Sequence, residues 1–191
     1  MIDYLTLLLV NMTAGFALLA HFIWKGMISP DQRAYIPGFG VAGAVAVVFG
    51  TILTVTWPLP GAYNSLFGEM SVLWGAIFLV TAVSLAKNWP LEAVAGYAFF
   101  AGLASVVLAA AILNLGMTKV PLLSAAGFGL SGLGGILALP ALRRGKENSL
   151  VRGLGALAMA GASALWALTA YPAYWGHMTG FAKWVPVLLR K

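Results

Sequence analysis

Six long apolar stretches fill this chain of 191 residues, and almost all of its charged residues lie between them. About 20 apolar residues coiled as an α-helix match the ~30 Å hydrocarbon core of a bilayer. The stretches lie at about residues 4–24, 36–57, 70–86, 91–115, 120–142 and 154–171. The pattern predicts an all-α, polytopic membrane protein whose six transmembrane helices form one bundle, a single domain over residues 1–191, with the lipid bilayer as its main partner.

The last eleven residues, Phe181 to Lys191, are too short to span a bilayer. Trp184 is suited to the headgroup region, so we predict a short interfacial segment at the C-terminus. Four other tryptophans lie near predicted span ends, as expected for an aromatic belt: Trp24, Trp57, Trp89 and Trp175.

The distribution of basic residues predicts the orientation. Seven lie in loops 1, 3 and 5: Lys25, Arg33, Lys87, Arg143, Arg144, Lys146 and Arg152. Four lie on the opposite side: Lys119, Lys183, Arg190 and Lys191. Because loops rich in Lys and Arg stay in the cytoplasm, we predict a cell-membrane protein with both termini extracytoplasmic. Membrane-flanking positions account for the net charge of +6, and no basic run is interleaved with aromatics, so nucleic acid is not a predicted partner.

Small residues are frequent in spans two, four and five. Pairs of small residues four apart allow helices to approach closely where lipid provides no hydrophobic drive. Four such pairs occur: Gly38 with Ala42, Gly40 with Ala44, Gly127 with Ser131, and Ala156 with Ala160. They predict tight packing within the bundle or, as the alternative, contacts with other membrane subunits or a homo-oligomer. The similar segments 26–30 and 116–121 are compatible with two inverted halves, as in many transporters.

Residues able to support catalysis are scarce. The chain has no cysteine, which excludes thiolate chemistry. It also shows no nucleotide-binding motif and no Ser–His–Asp or paired-carboxylate pattern, so we predict that it is not an enzyme. His21 is a weak candidate for a haem or metal ligand or for a proton relay, and the alternative is an interfacial histidine bonded to a loop carbonyl. His177 is predicted on the opposite side of the membrane, which disfavours a haem held by both histidines. No HxxxH or ExxH pair supports a metal site, so none is predicted and no cofactor can be named.

The loop at 57–69 is the densest polar segment of the chain. If it folds back over the bundle as a re-entrant cap, Tyr63, Asn64 and Glu69 would supply ligand-binding or pore groups at a mouth. Alternatively, the loop is a stiff proline-rich turn. Asn11 and Asn114 are polar residues within predicted spans, and they are further ligand-binding or pore candidates unless interhelical hydrogen bonds account for them.

The same loop carries a resemblance. Its sequence, WPLPGAYNSLFGE over 57–69, resembles the signature of a family of small prokaryotic multi-pass membrane proteins of unknown function. The segments Leu73-Trp74-Gly75 and 118–121 with Gly127-Phe128 fit the same pattern. The resemblance implies a multi-pass membrane protein of this size, with the loop as its most distinctive element. The family has no established activity that the resemblance could imply for this chain.

These observations favour a non-enzymatic integral membrane protein that serves as an accessory or structural subunit of a larger membrane assembly. A small-molecule transporter is the alternative, favoured by the glycine-rich helices but not by the scarcity of charge within the spans. A haem-binding or redox membrane protein using His21 is a further alternative.

Overall fold

A computed structural model describes residues 4–181. Six long helices follow one another: α1 (Tyr4–Trp24), α2 (Ile36–Thr56), α3 (Met70–Lys87), α4 (Glu92–Leu115), α5 (Pro121–Gly145) and α6 (Ser149–Gly180). A π-helical stretch, Asn64–Glu69, leads directly into α3. All six helices, with their adjoining turns, are long and apolar enough to cross a membrane, which confirms the predicted number and type of elements. The predicted interfacial segment lies, apart from Phe181, outside the described residues.

The helices form a closed ring in which each packs against the next and α6 packs back against α1. Short loops make successive helices run in opposite directions. The Thr6 hydroxyl and His177 Nδ1 lie 3.2 Å apart, which joins the first turn of α1 to the end of α6. Loops 1, 3 and 5 therefore share one end of the bundle, here named the basic end, and loops 2 and 4 share the other, named the cap end.

Glycines set the distance between two pairs of helices. Between α2 and α3, a Cβ on Gly43 would lie 2.6 Å from the Leu79 amide nitrogen, and one on Gly75 would lie 2.7 Å from Ala46 Cβ. Between α4 and α5, a Cβ on Gly102 would lie 2.5 Å from the Gly132 carbonyl oxygen. These contacts confirm the predicted close packing within the bundle.

The predicted small pairs differ in what they contact. Gly38 faces Leu18 of α1, and Gly127 faces Trp166 of α6, so both contribute to packing inside the bundle. Gly40 has nothing within 4 Å of its Cβ position, and Ala44 is exposed, so this pair lies on the outer face of α2.

The largest boundary error concerns the sixth span, which was predicted at 154–171. Helix α6 begins at Ser149, because the Asn148 side chain caps it by accepting hydrogen bonds from the amides of Leu150 and Val151. The sequence predicted that the helix stops at residue 171, but it continues through Pro172 to Gly180. A proline removes one backbone donor, and the turns on either side of Pro172 keep their helical bonds.

Helices α3 and α4 end as their sequences predict. Asn88 adopts a left-handed conformation (φ 54°) after α3, and the Trp89 amide donates to the Ser84 carbonyl at 2.8 Å. Gly116 adopts the same conformation (φ 62°) after α4. Both are the usual residues for terminating a helix in this way.

Candidate functional site: an apolar chamber

An apolar chamber of about 290 Å³ lies between the middle of the bundle and its basic end. It is open to the bundle surface, since its lining residues Leu137 and Leu154 are 54 and 59% exposed. Five of the six helices contribute to its walls, and α2 does not. The lining includes Phe22 of α1, Ile77 of α3, Ala98 of α4, Ala138 of α5, and Ala158 and Met159 of α6. Met27 in loop 1 and Leu91 in loop 3 also line it, which shows that the chamber extends to the basic end.

The chamber walls offer a ligand almost no polar group. Thr81 is the only lining residue with a hydroxyl, and it already donates to the Ile77 carbonyl oxygen at 2.7 Å. The Trp74 indole nitrogen donates to the Ser105 hydroxyl at 3.3 Å, and Ser105 in turn donates to the Ala101 carbonyl oxygen. A site of this kind favours hydrocarbon and disfavours water, which needs two to four polar partners.

Trp74 forms the inner end of the chamber. It packs edge-on against Phe16, with ring centroids 5.1 Å apart, and also lines a second space of only about 20 Å³ on its other side. Beyond that space, Phe67 from the π-helical stretch packs against Phe128 and Trp166 at centroid distances of 5.7 and 6.5 Å. Aromatic rings therefore fill the bundle between the chamber and the cap end.

Arg152 lies at the basic-end rim of the chamber. Its Nη1 donates to the Gly145 carbonyl oxygen at 2.9 Å, and its guanidinium lies over the Trp24 ring at 5.4 Å from the centroid. Its neighbour Val151 lines the chamber, and the Gly145 backbone lies beside Met27, which also lines it. The buried Arg152 Nε has no hydrogen-bond partner among residues 4–181.

The rest of the basic end is polar and exposed. All seven predicted cations of loops 1, 3 and 5 lie here, whereas Lys119 is the one cation of the cap end within the described range. Asp31 and Arg33 form an exposed ion pair at 3.0 Å. Hydrogen bonds from the Arg33 side chain and then from its backbone amide hold the pKa of Asp31 below its usual value.

The predicted loop residues lie at the cap end, away from the chamber. Asn64 is fully buried, and its side chain makes only local bonds. Its Oδ1 accepts from the Leu59 amide at 2.9 Å, and its Nδ2 donates to the carbonyl oxygens of Leu59 at 2.6 Å and Gly61 at 3.3 Å. Asn64 thus fixes the turn before α3. The Glu69 side chain is exposed, and no hydrogen bond or ion pair links it to another described residue.

Tyr63 connects the two loops of the cap end. Its hydroxyl accepts from the Thr118 amide at 3.1 Å, and its ring is stacked on Phe67. The loop is therefore a stiff turn whose last residues enter the bundle as the first turns of the α3 helical segment. The structure does not bring Tyr63, Asn64 and Glu69 together around an opening.

Replacing Tyr63 with phenylalanine removes one hydrogen bond and keeps the ring stack. We expect a loss of about 1 kcal/mol in unfolding free energy, as for an average hydrogen bond, and faster amide exchange at Thr118. Hydrogen exchange by mass spectrometry measures the second effect. Tyr97→Phe, on the exposed face of α4, is the matched control and should leave exchange in loop 4 unchanged. Equal effects of the two variants would contradict the proposed link between the loops.

The remaining candidates are at separate places. Asn11 donates to the Ala42 carbonyl oxygen at 2.8 Å, which is the predicted interhelical hydrogen bond. Asn114 is exposed and makes no such bond within residues 4–181, so that expectation is wrong for Asn114.

His21 is exposed near the basic end, where its Nδ1 lies 3.0 Å from the Tyr35 hydroxyl. It does not line the chamber, and His177 lies at the opposite end of the bundle, as predicted.

No three side chains of the His, Asp and Glu types come together within the described range in a way that could hold a metal ion.

Neither the chamber nor Arg152 was a candidate in the sequence. The chamber depends on which helix faces converge, and Arg152 falls inside the predicted loop 5 rather than on a helix. The only available signal was an arginine two residues before the start of the predicted sixth span.

Fold and chamber together define a class: a ring of six apolar helices, each long enough to cross a membrane, around an apolar interior space. Within that class, the chain belongs to the family described as protein of unknown function (DUF981), whose model matches residues 1–180. Comparisons with curated proteins and with solved structures gave no match.

Proposed function

We propose that this chain is a non-enzymatic integral membrane protein that binds an apolar molecule, or the apolar part of one, in its chamber. In this proposal the six helices span the cell membrane, the basic end faces the cytoplasm, and both termini are extracytoplasmic. The chamber of about 290 Å³ with apolar walls is the observation that carries the proposal.

The chemistry of the walls indicates what the chamber binds. Apolar surface in contact with water is unfavourable by about 25 cal/mol per Å², so the apolar walls favour an apolar occupant over water. Water would find no polar partner there, because the polar groups of Thr81 and Trp74 are already bonded.

The volume indicates the size of the apolar part. An apolar cavity of about 150 Å³ accommodates benzene, with six carbon atoms. By the same ratio, a chamber of about 290 Å³ accommodates about twelve heavy atoms. A hydrocarbon chain or a small ring system meets that limit for the enclosed apolar part of the ligand.

A hydrocarbon of that size tests the proposal directly. Purified protein in a fluorinated surfactant, which dissolves little hydrocarbon, should retain about one tritiated dodecane per chain after gel filtration. The double variant Ala138→Leu with Ala158→Leu adds six carbon atoms to the chamber walls. It should reduce retention about tenfold, because dodecane then no longer fits.

The control is a double variant with the same composition change, Ala110→Leu with Ala160→Leu, at exposed positions of α4 and α6. It should retain dodecane as the unmodified protein does. Thermal unfolding of both variants shows that they are folded. Retention that is absent from the unmodified protein, or equal in the two variants, would contradict ligand binding in the chamber.

Transport of the bound molecule is a second candidate function. A carrier needs a site that one side of the membrane reaches while the other side is closed. The chamber extends to the basic end, and Trp74, Phe67 and their aromatic neighbours separate it from the cap end, which favours this role. Uptake of a labelled apolar substrate into liposomes, abolished by the Ala138→Leu, Ala158→Leu variant, tests it. Undiminished uptake in that variant would count against transport through the chamber.

An accessory role in a larger membrane assembly is compatible with ligand binding, and the outer face of α4 is one surface that lipid or a partner helix would cover. Tyr97, Phe100 and Val107 are between 51 and 69% exposed along this helix, which packs mainly on α5. Purification from native membranes tests the role, and elution as a lone monomer would count against it.

A further inference from the structure

We propose that the ligand of the chamber is an amphiphile with an anionic head, held by Arg152 at the basic-end rim while its apolar chain occupies the chamber. This inference depends on the proposed function, since it names the chemical class of the molecule bound at the same site.

The charge of the rim supports an anion. Seven Lys and Arg residues lie at the basic end, against Asp31, Glu92 and Glu147. Asp31 is already paired with Arg33. An anionic head next to the chamber would therefore meet an excess of positive charge.

Arg152 is the cation best placed to bind the head. Its side chain is held in position by the Trp24 ring and by the Gly145 carbonyl oxygen. These contacts leave Nη2 without a hydrogen bond inside the described part of the chain, whereas Nε is buried and out of reach of a head group. A guanidinium fixed in this way is suited to a charge-assisted hydrogen bond from Nη2 to a carboxylate or phosphate oxygen.

The position of Arg152 matches the depth of the chamber. Val151, Leu154 and Ala158 carry the chamber wall along one side of α6, and Arg152 lies in the first turn of that helix. The N-terminus of a helix also favours negative charge. A chain entering from the basic end therefore passes Arg152 first and reaches Trp74 last, within the limit of about twelve heavy atoms.

Competition binding with matched probes tests the proposal. Dodecanoate, dodecane and dodecyltrimethylammonium carry the same chain with a negative, absent or positive head. We expect dodecanoate to displace tritiated dodecane at a concentration at least about tenfold lower than unlabelled dodecane does, and the ammonium to be the weakest competitor.

Arg152→Gln should weaken dodecanoate about tenfold and leave dodecane unchanged, which also shows that the variant is folded. Arg152→Lys should retain part of the preference for the anion. Arg143→Gln, at an exposed position of the same end, is the charge-matched control and should retain all of it.

The outcomes separate the two proposals. Dodecane retention without any preference for dodecanoate, or equal losses in Arg152→Gln and Arg143→Gln, would overturn the anionic head and leave the proposed function intact. No retention of any probe would overturn both. Native mass spectrometry of protein from its own membranes distinguishes the sources: a free acid and an anionic phospholipid both support the proposal, and a neutral or cationic molecule overturns it.

Discussion

Replacing Gly102 with alanine is expected to destabilise the bundle by about 3 kcal/mol, at the upper end of the range for an overpacked core. The added methyl group would lie 2.5 Å from the Gly132 carbonyl oxygen and 2.7 Å from the Ile136 amide nitrogen. Both atoms belong to the α5 backbone, which cannot move aside as a flexible side chain can. Helices α4 and α5 would have to separate, and α4 forms one wall of the chamber.

The same helix contains the control. A methyl group on Gly96 of α4 would meet nothing within 4 Å. Because alanine is the better helix former by up to about 1 kcal/mol, Gly96→Ala should leave stability unchanged or raise it. Unfolding by SDS titration measures both variants, and Gly135→Ala with Gly129→Ala repeats the comparison on α5. Within each pair a loss of stability is expected only in the variant at the packed glycine, and equal effects would mean that α4 and α5 are not packed this closely.

The sequence predicts the number and type of the helices because the pattern it uses is local. Runs of apolar residues end at prolines, charges or glycine, and α1, α2, α3 and α4 match their predicted ends to within one residue. Helix α6 differs because its ends depend on interactions that a hydropathy pattern does not contain. The Asn148 cap extends it at one end, and the intact helix around Pro172 extends it at the other.

The candidate site could not be predicted in the same way. Asn11 and Asn114 look equivalent in the sequence, yet one reaches the Ala42 carbonyl of α2 and the other is exposed. Which of them is bonded depends on the rotation of each helix about its axis. The chamber depends on five such rotations at once, and Ala138 and Ala158 become wall residues only because α5 and α6 face each other there. Apolar residues around a cavity have the same composition as apolar residues in a packed core.

Asn64→Asp is expected to cost about 3 kcal/mol or more at neutral pH, although it changes only one atom of the side chain. The amide nitrogen that donates to the Leu59 and Gly61 carbonyl oxygens becomes a carboxylate oxygen. A carboxylate cannot donate, so two acceptors lose their partner, and a charge is buried at a position with no exposed surface. Asn88→Asp is the control, because Asn88 is exposed and its side chain makes no hydrogen bond inside the range 4–181. Only the new charge at the C-terminus of α3 contributes there, so a loss of no more than about 1 kcal/mol is expected.

SDS titration of the two variants distinguishes this structural role from a ligand-binding one. The large loss of unfolding free energy is expected for Asn64→Asp alone, because only there does a buried carboxylate replace a hydrogen-bond donor. A residue that bound a ligand at an open mouth would instead tolerate the substitution with little loss of stability, and that result would remove Asn64 from the architecture of the cap end.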